Sequence, residues 1–318
     1  MDVSLYWLRS QRDRVSLYEW YRDSKLAPFA RLAAMAGMDL EVVTADELAV
    51  SVSQDGKPAV YLRGRELDPA ASLFHTKVMT WPAYQPDALR HLTLVTILEA
   101  AGFCTTVPAW LNQVNNDKLL SYLRMPAPGI PVLPTLYVMT RQFGAIRDVA
   151  DPAAIRYPVL VKPAGWGGGF GVFSADNETQ LNSVLQLAGA AELTMVIQPL
   201  LEPPVTDCRV YCIGGEPVAA VFRTAPPRSL VGNYTQGGKL TRGEVPAELA
   251  GPAGAMAAAM GIPYACVDFL RSGERGYWFS EIEVDGGGPG EAFEDLGVAK
   301  FAAFRAHFDA YLARRAAG

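Results

Sequence analysis

Five glycines crowd into the seven residues Gly165–Gly171, directly after the apolar run Val159–Val161 and Lys162. A strand that empties into such a loop restricts the fold more than any other segment does. Consecutive glycines reach backbone conformations closed to other residues, so successive N–H groups can turn inward and surround an anion. Lys162 adds a point charge suited to phosphate. No Gly-Lys-Ser/Thr follows, so this is not a Walker loop, and Phe170 stands where a dinucleotide fingerprint needs its third glycine. Alone, the segment reads either as an anion cradle or as a flexible surface turn.

Around this loop the periodicity alternates. Val3–Leu8, Leu40–Val43, Ala59–Leu62 and Leu73–Val78 are strand-like, whereas Leu17–Met35 and Ala88–Ala101 have helical spacing, the latter stopped by Gly102. This alternation predicts parallel βαβ units over residues 1–105. The pattern then predicts a helix over Asn116–Leu123, strands at Pro158–Val161 and Thr194–Gln198, and a helix over Thr179–Leu187 between them. Arg209–Ile213 and Val218–Phe222 flank Gly214–Gly215 as a hairpin. A loop at Ala225–Gly238, a helix at Gly254–Met260 and strands at Tyr264–Leu270 and Tyr277–Val284 complete that half. The terminal segment Val298–Leu312 places Phe301, Phe304, Phe308 and Leu312 on one helical face, as a core stripe requires.

The two last strands carry a second signal. If their hairpin is regular about Glu274 and Arg275, Asp268 lies opposite Glu281; Glu283 shares that face, and Asp285 joins it if the strand continues. At ~5 Å and an effective dielectric near 20, each facing pair repels by about 3 kcal/mol. A hard divalent cation, Mg2+ or Mn2+, is the expected offset. The alternatives are solvated carboxylates or a register shifted by one. Arg209 and Arg223 on the hairpin arms, with Asn233 ahead of a glycine pair, suit the oxygens of a transferring phosphoryl group, or are ordinary surface charge. Lys118 gains meaning only in this combination.

Composition narrows the partners. Half of the 318 residues are hydrophobic and 19% are charged, which excludes a disordered chain, and the net charge of -5 argues against nucleic acid. No apolar run is long enough to cross a bilayer, and Asp2, Arg9, Arg12, Asp13 and Arg14 interrupt the region where a secretory signal keeps its apolar core. No membrane partner and a cytoplasmic location are therefore expected. Cys104, Cys208, Cys212 and Cys266 read as buried thiols rather than zinc ligands, and His75, His91 and His307 are too far apart for a metal site or a triad.

Taken in order, NDK with Lys118, VLVKPAGWGGGFGV, VIQPLL with Gln198, DCRVYCIGGEPVAAVFR, NYTQGG, Asp268 and EIEV resemble the ATP-grasp superfamily over roughly Val107 to Phe293. The likeness is greatest to the subgroup of ribosomal-protein glutamate ligases and lysine-biosynthesis carrier-protein ligases. It implies an α/β (α+β) fold: an N-terminal parallel-sheet substrate domain (1–105), a central lobe with the glycine lid (106–193) and a C-terminal lobe with the metal site (194–318), the two lobes enclosing ATP. Lys118, Lys162, Gly165, Gly167, Gly168 and Gly169 would hold the phosphates. Backbone groups of Gln198, Leu200 and Leu201 would line adenine, since Pro199 has no N–H, with Asp207 or Glu202 near the ribose. Asp268, Glu281 and Glu283 would hold Mg2+; the family commonly has Glu-x-Asn here, so Glu283 with Asp285 is the alternative pair. Arg209, Arg223 and Asn233 would stabilise an acyl phosphate formed on a substrate carboxylate and attacked by an amine.

The implied partners are a small-molecule carboxylate and an amine, either an amino acid or a peptide, in a setting that includes natural-product pathways. A ligase that cyclises a peptide or extends a protein tail, and a non-catalytic nucleotide-binding regulator, are the rival readings. Self-association is left open. In the first domain Arg63, Arg65, His75, Lys77 and Trp81 are candidates for substrate contacts. Trp166 and Phe170 are suited either to covering a ligand or to simple packing.

Overall fold

A computed structural model of the chain describes residues 3–10, 26–80, 82, 84–139, 145–151, 154–226, 238–273, 276–286 and 293–317. Asn233, Trp81, Glu274 and Arg275 lie outside the described residues, as does much of the segment Leu17–Met35. The first region holds β1 (Val3–Arg9), β2 (Met38–Thr44), β3 (Leu48–Val52), β4 (Pro58–Leu62), β5 (Arg65–Glu66), β6 (Ser72–His75) and β7 (Cys104–Thr105). A parallel sheet runs β2-β1-β6-β7. Both its faces are covered, so β1 is buried along nearly its whole length: Leu5 and Trp7 meet the helices Ala27–Met35 and Glu294–Ala317, while Tyr6 and Leu8 join the cluster of the helix Gln85–Ala100. The expected strand at Ala59–Leu62 exists but does not join this sheet. It pairs antiparallel with β3 in a separate sheet β3-β4-β5. The link from Ser53 to Lys57 is a tight turn, too short for the crossover that parallel pairing needs.

The second region contains β8 (Leu136–Met139), β9 (Val159–Pro163), β10 (Phe173–Ala175) and β11 (Thr194–Pro199) in the antiparallel order β10-β9-β11-β8. The helix Glu178–Ala190 packs Leu181, Leu185 and Ala188 over Val159 and Val161. Successive side chains of a strand point to opposite faces, so Leu160 and Lys162 lie on the face away from that helix. Strands β8 and β10 were not expected from the sequence.

The third region is a five-stranded antiparallel sheet built from β12 (Val205–Ile213), β13 (Glu216–Thr224), β14 (Lys239–Gly243), β15 (Tyr264–Ser272) and β16 (Tyr277–Glu283), in the order β14-β13-β12-β15-β16. The Gly214–Gly215 hairpin is as expected, while β14 follows the anticipated loop unannounced. One face packs Cys208, Val210, Val267 and Ile282 against Leu249, Ala253 and Met256 of the helix Ala247–Met260. The other face carries Tyr211, Tyr264 and Cys266 into a core shared with the first sheet and the helix Glu294–Ala317, whose Phe301, Phe304 and Phe308 are buried as the stripe requires.

Asp268 does lie opposite Glu281, yet not through a regular hairpin. Beyond that pair the register becomes Phe269↔Phe279, leaving Ser280 as an extra residue on β16. Tyr277 and Phe279 point into the helix-side core, and so does Ile282. Without the bulge, strict alternation would have put Glu281 and Glu283 on the same side as the two aromatics. The extra residue turns both carboxylates onto the opposite face.

Candidate active site

The lysines meet at the root of the glycine loop. Asp117 caps the helix Lys118–Arg124 by accepting from the N–H groups of Leu119 and Leu120 at 2.9 and 3.0 Å, which fixes where Lys118 leaves the backbone. The Lys118 Nζ donates to the carbonyls of Trp166 at 2.5 Å and of Pro163 and Ala164 at 3.4 Å. The Lys162 side chain is half-buried and makes no hydrogen bond or ion pair with any described residue, although the Glu281 and Asp207 carboxylates act on its charge from farther off. Burial, and then the neighbouring Lys118, push its ammonium down to about 8. Gly168, Gly169 and Gly171 all take positive φ, and a Cβ on Gly171 would stand 2.9 Å from Pro163 Cγ and 3.1 Å from the Trp166 ring. The loop thus folds back on its own strand. Trp166 packs there and donates its Nε1–H to Gln85 Oε1 at 2.9 Å, while Thr80 donates to the Gly165 carbonyl. Both contacts tie the loop to the first region.

On the facing sheet, Arg209 of β12 stands opposite Asp268 of β15 and grips both its oxygens, each at 2.7 Å. Arg223 of β13 donates to Asp268 Oδ2 at 2.6 Å and to Asp207 Oδ1 at 2.7 Å. Burial would push Asp268 up, but Arg209 and Arg223 outweigh it and hold the group at about 2. Burial dominates at Asp207, which rises to about 6 despite Arg223. Asp207, expected beside a ribose, therefore belongs to the arginine network; it shares the face of Arg209 because the two are two residues apart on one strand.

The expectation that only bound metal could let the carboxylates coexist is corrected here. Each has a cation of the protein: Arg209 and Arg223 for Asp268, Lys118 at 3.7 Å for Glu281, and Lys77 for Glu283. Among the described residues no three acidic, histidine or cysteine side chains converge as a metal cage. Asp268, counted with Glu281 and Glu283 as a ligand, has both oxygens drawn away by the arginines. Asp285, the alternative partner of Glu283, is also turned elsewhere. Its carboxylate meets Lys300, with His75 Nε2 at 3.3 Å. Lys300 is buried among Phe29, Tyr264 and Phe304. Gly286 then turns the chain at φ +62°, where a Cβ would stand 2.3 Å from Cys266 Sγ.

At the hinge, the Leu200 N–H is engaged by the Pro158 carbonyl at 3.1 Å, so Leu200 has no donor to offer. Leu201 keeps its N–H free of described partners. Gln198 is buried; its Nε2 donates to Tyr122 and Thr135, while its Oε1 has no partner. A cavity of about 40 Å3 joins Lys77, Thr80, Asn116, Lys118, Glu281 and Glu283. A wider open groove of about 650 Å3 lies between the Gly214–Gly215 hairpin and the helices Ala247–Met260 and Glu294–Ala317. It is walled mainly by glycine and alanine and contains none of the charged residues above. No helix among the described residues is long and apolar enough to cross a membrane.

A family profile described as RimK-like ATP-grasp domain matches residues 116–295. The chain is 30% identical over 111 residues to a D-alanine–D-alanine ligase of Borrelia turicatae (strain 91E135), covering 33% of this chain and 29% of that protein. It thus spans less than a third of the length of that relative. It is 25% identical over 255 residues to a probable alpha-L-glutamate ligase of Hydrogenovibrio crunogenus (strain DSM 25203 / XCL-2), covering 79% and 81% of the two chains. Among solved structures it is similar to the D-cycloserine synthetase DcsG, with a TM-score of 0.64, 18% identity, and 96% and 99% coverage. It is also similar to the ATP-grasp ligase PsnB complexed with minimal precursor, with a TM-score of 0.62, 16% identity, and 98% and 100% coverage. At these identities the structural likenesses establish the fold.

Proposed function

Because this chain belongs to the RimK-like ATP-grasp family, we propose that it is an ATP-dependent, ADP-forming ligase joining a carboxylate to an amine, with an amino acid or small peptide as substrate. The observation that carries this reading is Lys162, a half-buried ammonium with no hydrogen-bond or ion-pair partner among the described residues, set beside a second lysine at the root of a glycine loop. Two close cations, one of them hydrogen-bonded to no described residue, suit a polyphosphate. The hinge suits a base that can donate, since the buried Gln198 Oε1 has no donor among the described residues. Gly165, Gly167, Gly168 and Gly169 close the loop over the phosphates.

Mg2+ or Mn2+ fits beside Glu281 and Glu283, where the ammonium groups of Lys118 and Lys77 already act as stand-in cations. A bound divalent ion supplies neutralising charge for the phosphates. Asp268 stays with its arginines and would reach such an ion only by giving up one of them.

In the reaction, a carboxylate oxygen of the acid attacks the γ-phosphorus and ADP departs. The amine nitrogen then attacks the acyl carbon, phosphate leaves with the C–O bonding pair, and the amine loses a proton. Arg209 and Arg223 lie on the face that meets this chemistry, and the Arg223 Nε–H is buried without an acceptor. Such a donor, already desolvated, favours an oxyanion strongly. Asn233 is carried into this set by the family resemblance. Retention of the whole cation set argues against a non-catalytic regulator. The test is calorimetric titration with Mg–AMPPNP. Lys162→Ala should weaken binding tenfold or more, about 1.4 kcal/mol or above; unchanged affinity would contradict the phosphate site.

A further inference from the structure

We infer that Lys77 is a positioning residue for the cation site: its ammonium holds the Glu283 carboxylate in place as a tethered cation and so sets how tightly Glu281 and Glu283 take a divalent ion. The inference rests on the reading of the site given above.

Lys77 belongs to the first region, two residues past the end of β6, whereas Glu283 ends β16. The pair therefore crosses between parts of the chain 206 residues apart. Among the described residues Glu283 is the only direct ion-pair partner of Lys77, with Asp285 acting on it from farther off, and the side chains are 12% and 23% exposed, so water screens the contact little. Glu283 Oε1 also accepts the Asp285 N–H at 3.1 Å.

The backbone on both sides is pinned. Asn112, fully buried, donates to the Thr76 carbonyl at 2.9 Å and accepts the Val78 N–H at 2.8 Å, which brackets Lys77. Asn115 Oδ1 accepts the Val284 N–H at 3.1 Å, directly after Glu283. Asn112 and Asn115 come from the same short helix, Ala109–Asn115. One element thus fixes the backbone beside both partners, which keeps the ammonium tethered within reach of Glu283. Glu281 is held far more loosely, with Lys118 at 3.7 Å.

A divalent ion entering at Glu281 and Glu283 must share Glu283 with a fixed positive charge. Like charges this close, shielded from water, repel. Without nucleotide the site therefore binds the ion weakly, and the phosphates, held by Lys118 and Lys162, bring the negative charge that offsets Lys77. An ordinary inter-domain ion pair would predict no such effect on metal affinity.

The probe is Mn2+, titrated into the full chain and followed by electron paramagnetic resonance of the free ion, with and without saturating ADP. Without ADP, Lys77→Gln should bind Mn2+ at least tenfold tighter than the wild type. Lys77→Arg, which keeps the charge, should match the wild type. ADP should shrink the difference. If Lys77→Gln fails to fold by its melting profile, Lys77→Met carries the same expectation. Should charge removal at Lys77 leave Mn2+ affinity unchanged or weaker while ADP still binds, the inference falls and the ligase reading stands. Should neither ADP nor Mn2+ bind the wild type, both fall.

Discussion

Arg209 and Asp268 face each other across β12 and β15, and the guanidinium meets the carboxylate through two parallel 2.7 Å hydrogen bonds, Nε to Oδ1 and a terminal nitrogen to Oδ2. This fork geometry is the strongest form of the pair. With Arg223 bridging the second oxygen to Asp207, it anchors two guanidinium groups on the sheet face that the bulge at Ser280 fills with carboxylates.

Asp268→Asn should therefore destabilise the protein by about 3–5 kcal/mol, because two buried guanidinium groups lose their shared counter-ion. Urea unfolding measures this. A carboxylate whose main effect was to repel Glu281 would give the opposite sign.

The same pair fixes an acid limb. Asp268 is held at about 2, below its ordinary 3.8. Its contribution is fully present above pH 4 and is lost as pH falls from about 4 toward 2. Asp207, raised to about 6, works the other way: its contribution shrinks as pH rises from about 4 through 6. Unfolding free energy should fall steeply as the pH is lowered from 4 to 2 in the wild type and less steeply in Asp268→Asn.

Lys162 gives a proton signature. At about 8 it is partly neutral in the free protein near that pH, and phosphate would restore the charge. Mg–AMPPNP binding at pH 8.5 should take up protons, seen as a dependence of the calorimetric enthalpy on the ionisation enthalpy of the buffer. Lys162→Met should abolish it.

How far the sequence anticipates this molecule varies with the range of the contact. The Lys118–Lys162 meeting follows from the family's motif order, whereas Asp268 comes to lie opposite Glu281 only because the bulge at Ser280 offsets a register that would otherwise pair it with Ser280. The bulge does not follow from any local pattern, because it depends on Tyr277 and Phe279 finding the helix Ala247–Met260. Nor does the Arg209–Asp268 fork, which requires knowing that β12 and β15 are neighbours. The resemblance implies Asp268 as a metal ligand and Asp207 or Glu202 near a ribose; without that adjacency the sequence does not show that Asp268 and Asp207 share Arg223. By sequence Lys77 is one candidate for a substrate contact; its pairing with Glu283 spans two regions, and no local pattern signals it.

Lys300 is the plainest case of such a hidden residue. It is 2% exposed, enclosed by Phe29, Tyr264 and Phe304, and paired with Asp285. Lys300→Met should cost about 3–5 kcal/mol by stranding Asp285, and adding Asp285→Asn should recover part of the loss. Chemical denaturation of the single and double variants tests this; a fully additive double variant would contradict the pairing.

The central claim is that the site phosphorylates a carboxylate and passes the acyl group to an amine. The most direct test incubates the protein with Mg–ATP, hydroxylamine as the amine and a panel of amino acids and small acids, and measures ADP and hydroxamate together. The account predicts that one class of acid raises ADP release, with hydroxamate formed in equal amount. AMP and pyrophosphate in place of ADP, or ADP release that no acid stimulates, would contradict it.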